Sequence, residues 1–90
     1  MNSRGRPTRK QVWNLLFQLF CEIAKITPET ICDAATVSGE LHMESITFVE
    51  IQTALQDEYD IELDPIQLIE LDEFGAIVDY VHACVIQSHN

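Results

Sequence analysis

Residues 46–59 constrain this chain more than any other stretch. At roughly 100° per residue, Phe48, Ile51, Leu55 and Tyr59 fall within a sector of about 80° on one side of a helix. That side reads as core. Ile46, Val49 and Ala54 fall on the opposite side, among Glu50, Thr53 and Asp57. A helix that only covers a core usually turns polar residues to solvent. This one keeps apolar residues there, framed by carboxylates, and begins one residue after Ser45. The pattern points to a docking surface beside an attachment point.

The other segments read as helices that pack with it. Thr8-x-x-Gln11 is a capping-box pattern, and Val12, Leu15, Leu16, Leu19, Phe20 and Ile23 make a stripe that Trp13 and Phe17 can widen. This first helix is expected over about 9–25, ending before Pro28 because the residue preceding a proline disfavours helix. Thr27–Gly39 carries no sustained helical period and reads as a long loop pinned by Ile31 and Val37. The second helix is expected from Ser45 to about Asp57 or Glu58. Tyr59–Leu63 alternates but has no partner strand, so it reads as a loop with Ile61 and Leu63 inward. Asp64-Pro65 is a helix start, Asp as cap and Pro at the first position. It opens a short third helix over about 65–70, whose apolar residues are Ile66, Leu68, Ile69 and Leu71. Asp72 is a second cap candidate, with Glu73 in the following first turn. Phe74, Ile77, Val78, Val81 and Val85 then mark a fourth helix over about 73–86. Gly75 near its start costs helix propensity, which close packing against a neighbour would explain. The fold expected is all-α: a four-helix bundle with a short third helix and a long loop between the first and second. The domain is expected over 8–87, between a disordered basic tail at 1–7 and a short tail at 88–90.

Charge narrows the partners. The formal net charge is −10. All five basic residues, Arg4, Arg6, Arg9, Lys10 and Lys25, lie in the first 25 positions, where Glu22 is the sole acid of the fifteen in the chain. That argues against a basic nucleic-acid footprint and for basic partners met with electrostatic steering. Cys21, Cys32 and Cys84 are odd in number and widely spaced. They read as small hydrophobes in a reducing compartment rather than a disulfide frame. No apolar run approaches a membrane span or a signal core. A cytoplasmic monomer with no membrane or nucleic-acid partner is expected.

Glu44-Ser45-Ile46, then Val49-Glu50-Ile51, then Ala54-Leu55 resembles the signature of the acyl carrier protein family: Asp-Ser-Leu, Val-Glu-Leu or a close variant, and a small-residue/Leu pair. The resemblance continues through Asp60-Ile61-Glu62-Leu63 and, less strictly, Val78-Asp79-Tyr80-Val81. It implies a carrier, not an enzyme, and a bundle in which a long first loop brings the second helix alongside the first. It also implies that Ser45 carries 4′-phosphopantetheine, transferred from coenzyme A by a phosphopantetheinyl transferase. The arm's thiol would hold acyl intermediates as thioesters. Glu44, Ile46, Val49, Glu50, Thr53 and Asp57 would form the face read by partners such as acyl-loading, ketosynthase or acyltransferase-type enzymes with basic docking surfaces.

Two positions depart from the family pattern. His42 stands where Gly is usual, and Glu44 where Asp is usual. With the basic N-terminal stretch, they favour a specialised pathway such as polyketide assembly over fatty acid synthesis. An aminoacyl cargo would go with Gly-rich residues before the serine, which are missing. The plainer alternatives are a serine that only caps a helix, a solvated acidic face whose ion pairs are individually weak, and an unmodified protein-interaction module. Catalysis by His42 and Ser45 lacks an oxyanion hole and a Gly-x-Ser-x-Gly elbow. His82, Cys84 and His89 lack zinc-site spacing. The acids from Asp57 to Asp64 lack the central glycine of a calcium loop.

Overall fold

A computed structural model describes residues 7–88. The expected N-terminal tail, apart from Pro7, lies outside the described residues, as do His89 and Asn90 of the expected C-terminal tail. The chain folds as α1 (Arg9–Glu22), a 3₁₀ turn (Pro28–Thr30), α2 (Ser45–Tyr59), α3 (Pro65–Leu71) and α4 (Phe74–Ser88). This is the expected all-α bundle with a short third helix and a long first connection.

The capping box opens α1: Thr8 Oγ1 accepts the Gln11 N–H at 3.2 Å, and Gln11 Oε1 accepts the Thr8 N–H at 2.8 Å. Two N–H groups that a helix start leaves unpaired are thereby satisfied. The helix ends at Glu22, three residues short of the expected Lys25. Lys25 takes a left-handed φ of 60°, and the Ile26 N–H returns to the Phe20 carbonyl at 3.2 Å. This early turn lets Ile23, Ala24 and Ile26 pack against the core. A similar device ends α2, where Asp60 turns at φ 54° and the Ile61 N–H reaches the Gln56 carbonyl at 3.2 Å. Ile61 and Leu63 are then carried inward and buried, as expected.

Val12, Leu16 and Phe20 of α1, Phe48, Ile51 and Leu55 of α2, and the five stripe residues of α4 fill the core; α3 adds Leu68. Phe74 meets Phe20 and Trp13 edge-on, with ring centroids 5.1 and 5.3 Å away, and Trp13 stacks on Phe17. Such pairs contribute about 0.5–1.5 kcal/mol each beyond their buried area. The two Phe74 contacts join α1 to α4, and the Trp13–Phe17 stack backs them from beside the α1 stripe.

The loop between α1 and α2 is sewn to the α3–α4 junction. Thr36 forms an antiparallel bridge with Glu73. The Phe74 and Gly75 N–H groups, which start α4, donate to the Ala35 and Asp33 carbonyls at 2.8 and 3.0 Å. Loop carbonyls therefore satisfy the head of α4, and Asp72 is not its cap. Glu73 precedes α4 rather than lying in its first turn. Arg9 adds ion pairs from α1 to Asp33 and to Asp79 of α4. The connection is long because it spans the bundle, and its Ile31, Ala35 and Leu41 are core residues. Among the described residues, no helix is long and apolar enough to cross a membrane.

Candidate functional site

Ser45 is the first residue of α2, and Glu44, in extended conformation (φ −76°, ψ 153°), is the cap. The serine therefore does not cap the helix. Its approach is fixed from behind: Leu41 is buried, the Leu41 N–H donates to the Thr36 carbonyl at 2.9 Å, and the Met43 N–H to the Val37 carbonyl at 3.3 Å. Between them His42 is exposed and left-handed, with φ 43°.

Ser45 is exposed, and among the described residues its hydroxyl has no hydrogen-bond partner. The α2 ladder begins with the Phe48 N–H bonded to the Glu44 carbonyl at 3.0 Å. No side chain caps the three N–H groups before it. They sit at the positive end of a fifteen-residue helix, where a phosphate oxygen would find both unpaired donors and a favourable dipole. Ser45 thus offers a free nucleophilic oxygen and an anion-compatible surround, and it fits a phosphodiester. Among the described residues, His42 and Ser45 make no hydrogen bond to each other, so no dyad is assembled.

Beside Ser45 lies a hollow of about 200 Å³. Val37, Met43, Phe48 and Ile69 supply its apolar lining, and Ser38, Ser45 and Asp72 also border it. Farther along α2, the proposed face is open. Ile46 is 69% exposed and Val49 50%, and Glu44, Glu50, Thr53 and Asp57 are exposed as well. The Thr53 hydroxyl donates to the Val49 carbonyl at 3.0 Å, so it presents its methyl group more than a donor. Phe48, Ile51 and Leu55 are buried on the opposite side, and Tyr59 is half-buried. Burial raises the Tyr59 hydroxyl pKa above its ordinary value, with the neighbouring Glu58 charge adding to it. Among the described residues, the carboxylates of α2 form no ion pair. No Lys or Arg occurs after Lys25, so α2 has no basic neighbour along the chain.

Two features lie beyond the sequence reading. Ile66 and Ile69, which read there only as apolar positions of α3, are 67% and 55% exposed. A seven-residue helix can bury one stripe: Leu68 and Leu71, three apart, take it, and Ile66 and Ile69 share the other side. That spacing is the available signal. The second feature pairs Ser38 with Asp72, 34 positions apart. The Ser38 N–H and hydroxyl donate to the two Asp72 carboxylate oxygens at 3.0 and 2.9 Å. Nothing local in the sequence announces it.

The family model described as "Phosphopantetheine attachment site" matches residues 14–81. A protein of Saccharopolyspora erythraea named "Acyl carrier protein" is 28% identical over 71 residues, which cover 79% of this chain and 75% of that relative.

Proposed function

The chain belongs to the phosphopantetheine attachment-site family, and from this we propose that Ser45 bears the 4′-phosphopantetheine and that the protein is a freestanding acyl carrier. Members of the family carry a covalent 4′-phosphopantetheine and act as carriers rather than enzymes. The cofactor supplies a thiol on a long flexible arm, to which acyl intermediates attach as thioesters. What carries the reading is one observation: an exposed, unpartnered serine hydroxyl heads a long helix with no side-chain cap.

The chain's own residues divide the work. Ser45 provides the oxygen for the phosphodiester. The free N–H groups of the first α2 turn and the helix dipole hold its charge, which offsets the acidity of the protein around it. Leu41 and Met43, tied to the first loop, keep the attachment point at a fixed height on the bundle. Ile46 and Val49, framed by Glu44, Glu50, Thr53 and Asp57, supply a face for partner enzymes. The fit is to a surface that is basic with an apolar centre. Exposed Ile66 and Ile69 of α3 extend the apolar area available to such a partner. Long-range attraction between unlike charges speeds encounter, while weak individual ion pairs allow quick release. A carrier must leave each enzyme after delivery, so both properties suit it.

The partners proposed are a phosphopantetheinyl transferase and acyl-loading, ketosynthase or acyltransferase-type enzymes, met in the cytoplasm. The cargo proposed is an acyl intermediate of polyketide or other specialised assembly, with fatty acid synthesis the next choice. His42 and Glu44, both changed from the usual pattern next to the serine, support the specialised pathway. They also support a second reading, an unmodified module that serves only as a protein-interaction domain. Incubation with coenzyme A and a broad-specificity transferase separates the two. The carrier reading expects the intact mass to rise by one phosphopantetheine; no gain with several transferases favours the second.

A further inference from the structure

Packing holds α3 weakly. It has seven residues, too few to be stable alone, and Leu68 is its one fully buried side chain. Its entry is anchored: the Leu63 N–H donates to Gln56 Oε1 at 2.8 Å, and the Asp64 N–H to Tyr80 Oη at 3.2 Å. Its exit is strained. Asp72 adopts φ 66° and ψ −46°, and the Glu73 N–H folds back onto the Leu71 carbonyl at 2.7 Å. This is a γ-turn of positive φ, a conformation a non-glycine residue keeps only when its surroundings impose it.

The imposing contacts come from the first loop. The Val37 N–H donates to the Asp72 carbonyl at 2.8 Å, and Ser38 gives both its N–H and its hydroxyl to the Asp72 carboxylate. Bonds to an ionised acceptor are stronger than neutral ones. Ser38, Asp72 and Ile69 also border the hollow beside Ser45.

We propose that the Ser38–Asp72 contact is a latch. Closed, it keeps the last turn of α3 against the hollow; released, it lets that turn lift while α1 and α4 stay packed. The strained turn favours opening and the charged contact opposes it. The use of the open state, admitting a larger group attached at Ser45, rests on the carrier reading; the latch itself does not.

Amide hydrogen exchange on the protein without its arm tests this. Ser38→Ala removes one of the two donors and leaves the backbone unchanged. Asp72→Asn keeps the shape and removes the charge. In each variant, exchange at Leu68 to Leu71 should rise about tenfold over wild type, the loss expected for one bond to a charged group. Exchange at core positions of α1 and α4, such as Leu16 and Val81, should stay unchanged. Unaltered exchange in α3, a rise in only one variant, or an equal rise in every helix would overturn the latch. Because the protein is measured without its arm, a failed mass test at Ser45 would leave these exchange outcomes and their meaning unchanged.

Discussion

Gly75, in the first turn of α4, donates its N–H to the Asp33 carbonyl at 3.0 Å, and the same Asp33 leaves no room for a side chain there. A Cβ on Gly75 would lie 3.0 Å from Asp33 Cβ, 3.1 Å from Cγ and 3.2 Å from the carbonyl oxygen. Asp33 cannot easily retreat, because its carboxylate accepts the Trp13 indole N–H at 2.6 Å and meets Arg9 at 3.3 Å. Gly75→Ala gains up to about 1 kcal/mol of helix propensity and incurs overpacking of about 1–3 kcal/mol. The net expectation is a loss near 1 kcal/mol in urea-unfolding stability. A gain would mean that propensity alone governs the site.

His42 departs from the family's usual glycine at a position where φ is 43°. A left-handed residue with a Cβ costs roughly 1–2 kcal/mol, and glycine adds flexibility to the unfolded chain that returns part of this. His42→Gly should therefore raise stability by about 0.5 kcal/mol, and His42→Val, β-branched, should lower it by more than about 1 kcal/mol. Thermal unfolding of the two variants checks the order. Equal stability would show that the turn imposes no such strain.

The Glu40 carboxylate accepts the Thr36 N–H at 3.0 Å and the Thr36 hydroxyl at 3.2 Å. The backbone bond, first, and the hydroxyl hold its pKa below the usual carboxylate range. A depressed folded value stabilises the protein above the unfolded pKa, and that contribution is lost as pH falls through the folded one. The stability difference between wild type and Glu40→Gln should be present at neutral pH and shrink as the solution is acidified through the carboxylate range. A difference that does not change with pH would contradict the assignment.

The parts of the chain legible in its sequence are those set by local chemistry. The Thr8–Gln11 box, the Asp64-Pro65 start and the stripes of α1, α2 and α4 each depend on residues within a few positions of one another. Asp72 resembles a cap locally, but its fate depends on Ser38 and on loop carbonyls that take the place of a cap for α4. The end of α1 differs from expectation for a similar reason: packing of Ile26 decides the turn at Lys25, and no local signal marks it. At the site, both the serine and the exposed apolar face of α2 are visible in the residue pattern. The hollow beside Ser45 has walls from three separate parts of the chain, so only the folded molecule brings it into view.

The acidic face makes a kinetic prediction. Glu50 is exposed beside Val49, so Glu50→Lys should leave helicity unchanged by circular dichroism. It should slow transferase loading roughly threefold to tenfold at low ionic strength. Near 1 M salt, where screening acts within about 3 Å, wild type and variant should converge. Identical rates at low salt would remove Glu50 from the docking face.

The attachment point itself is open to direct measurement. After treatment with coenzyme A and a transferase, fragment-ion mass spectrometry of the peptide spanning residues 41–59 should find one phosphopantetheine on Ser45, and Ser45→Ala should acquire none. Modification at Thr47 or Thr53 instead, or an unmodified Ser45 in folded protein beside a transferase active on other carriers, would contradict the account.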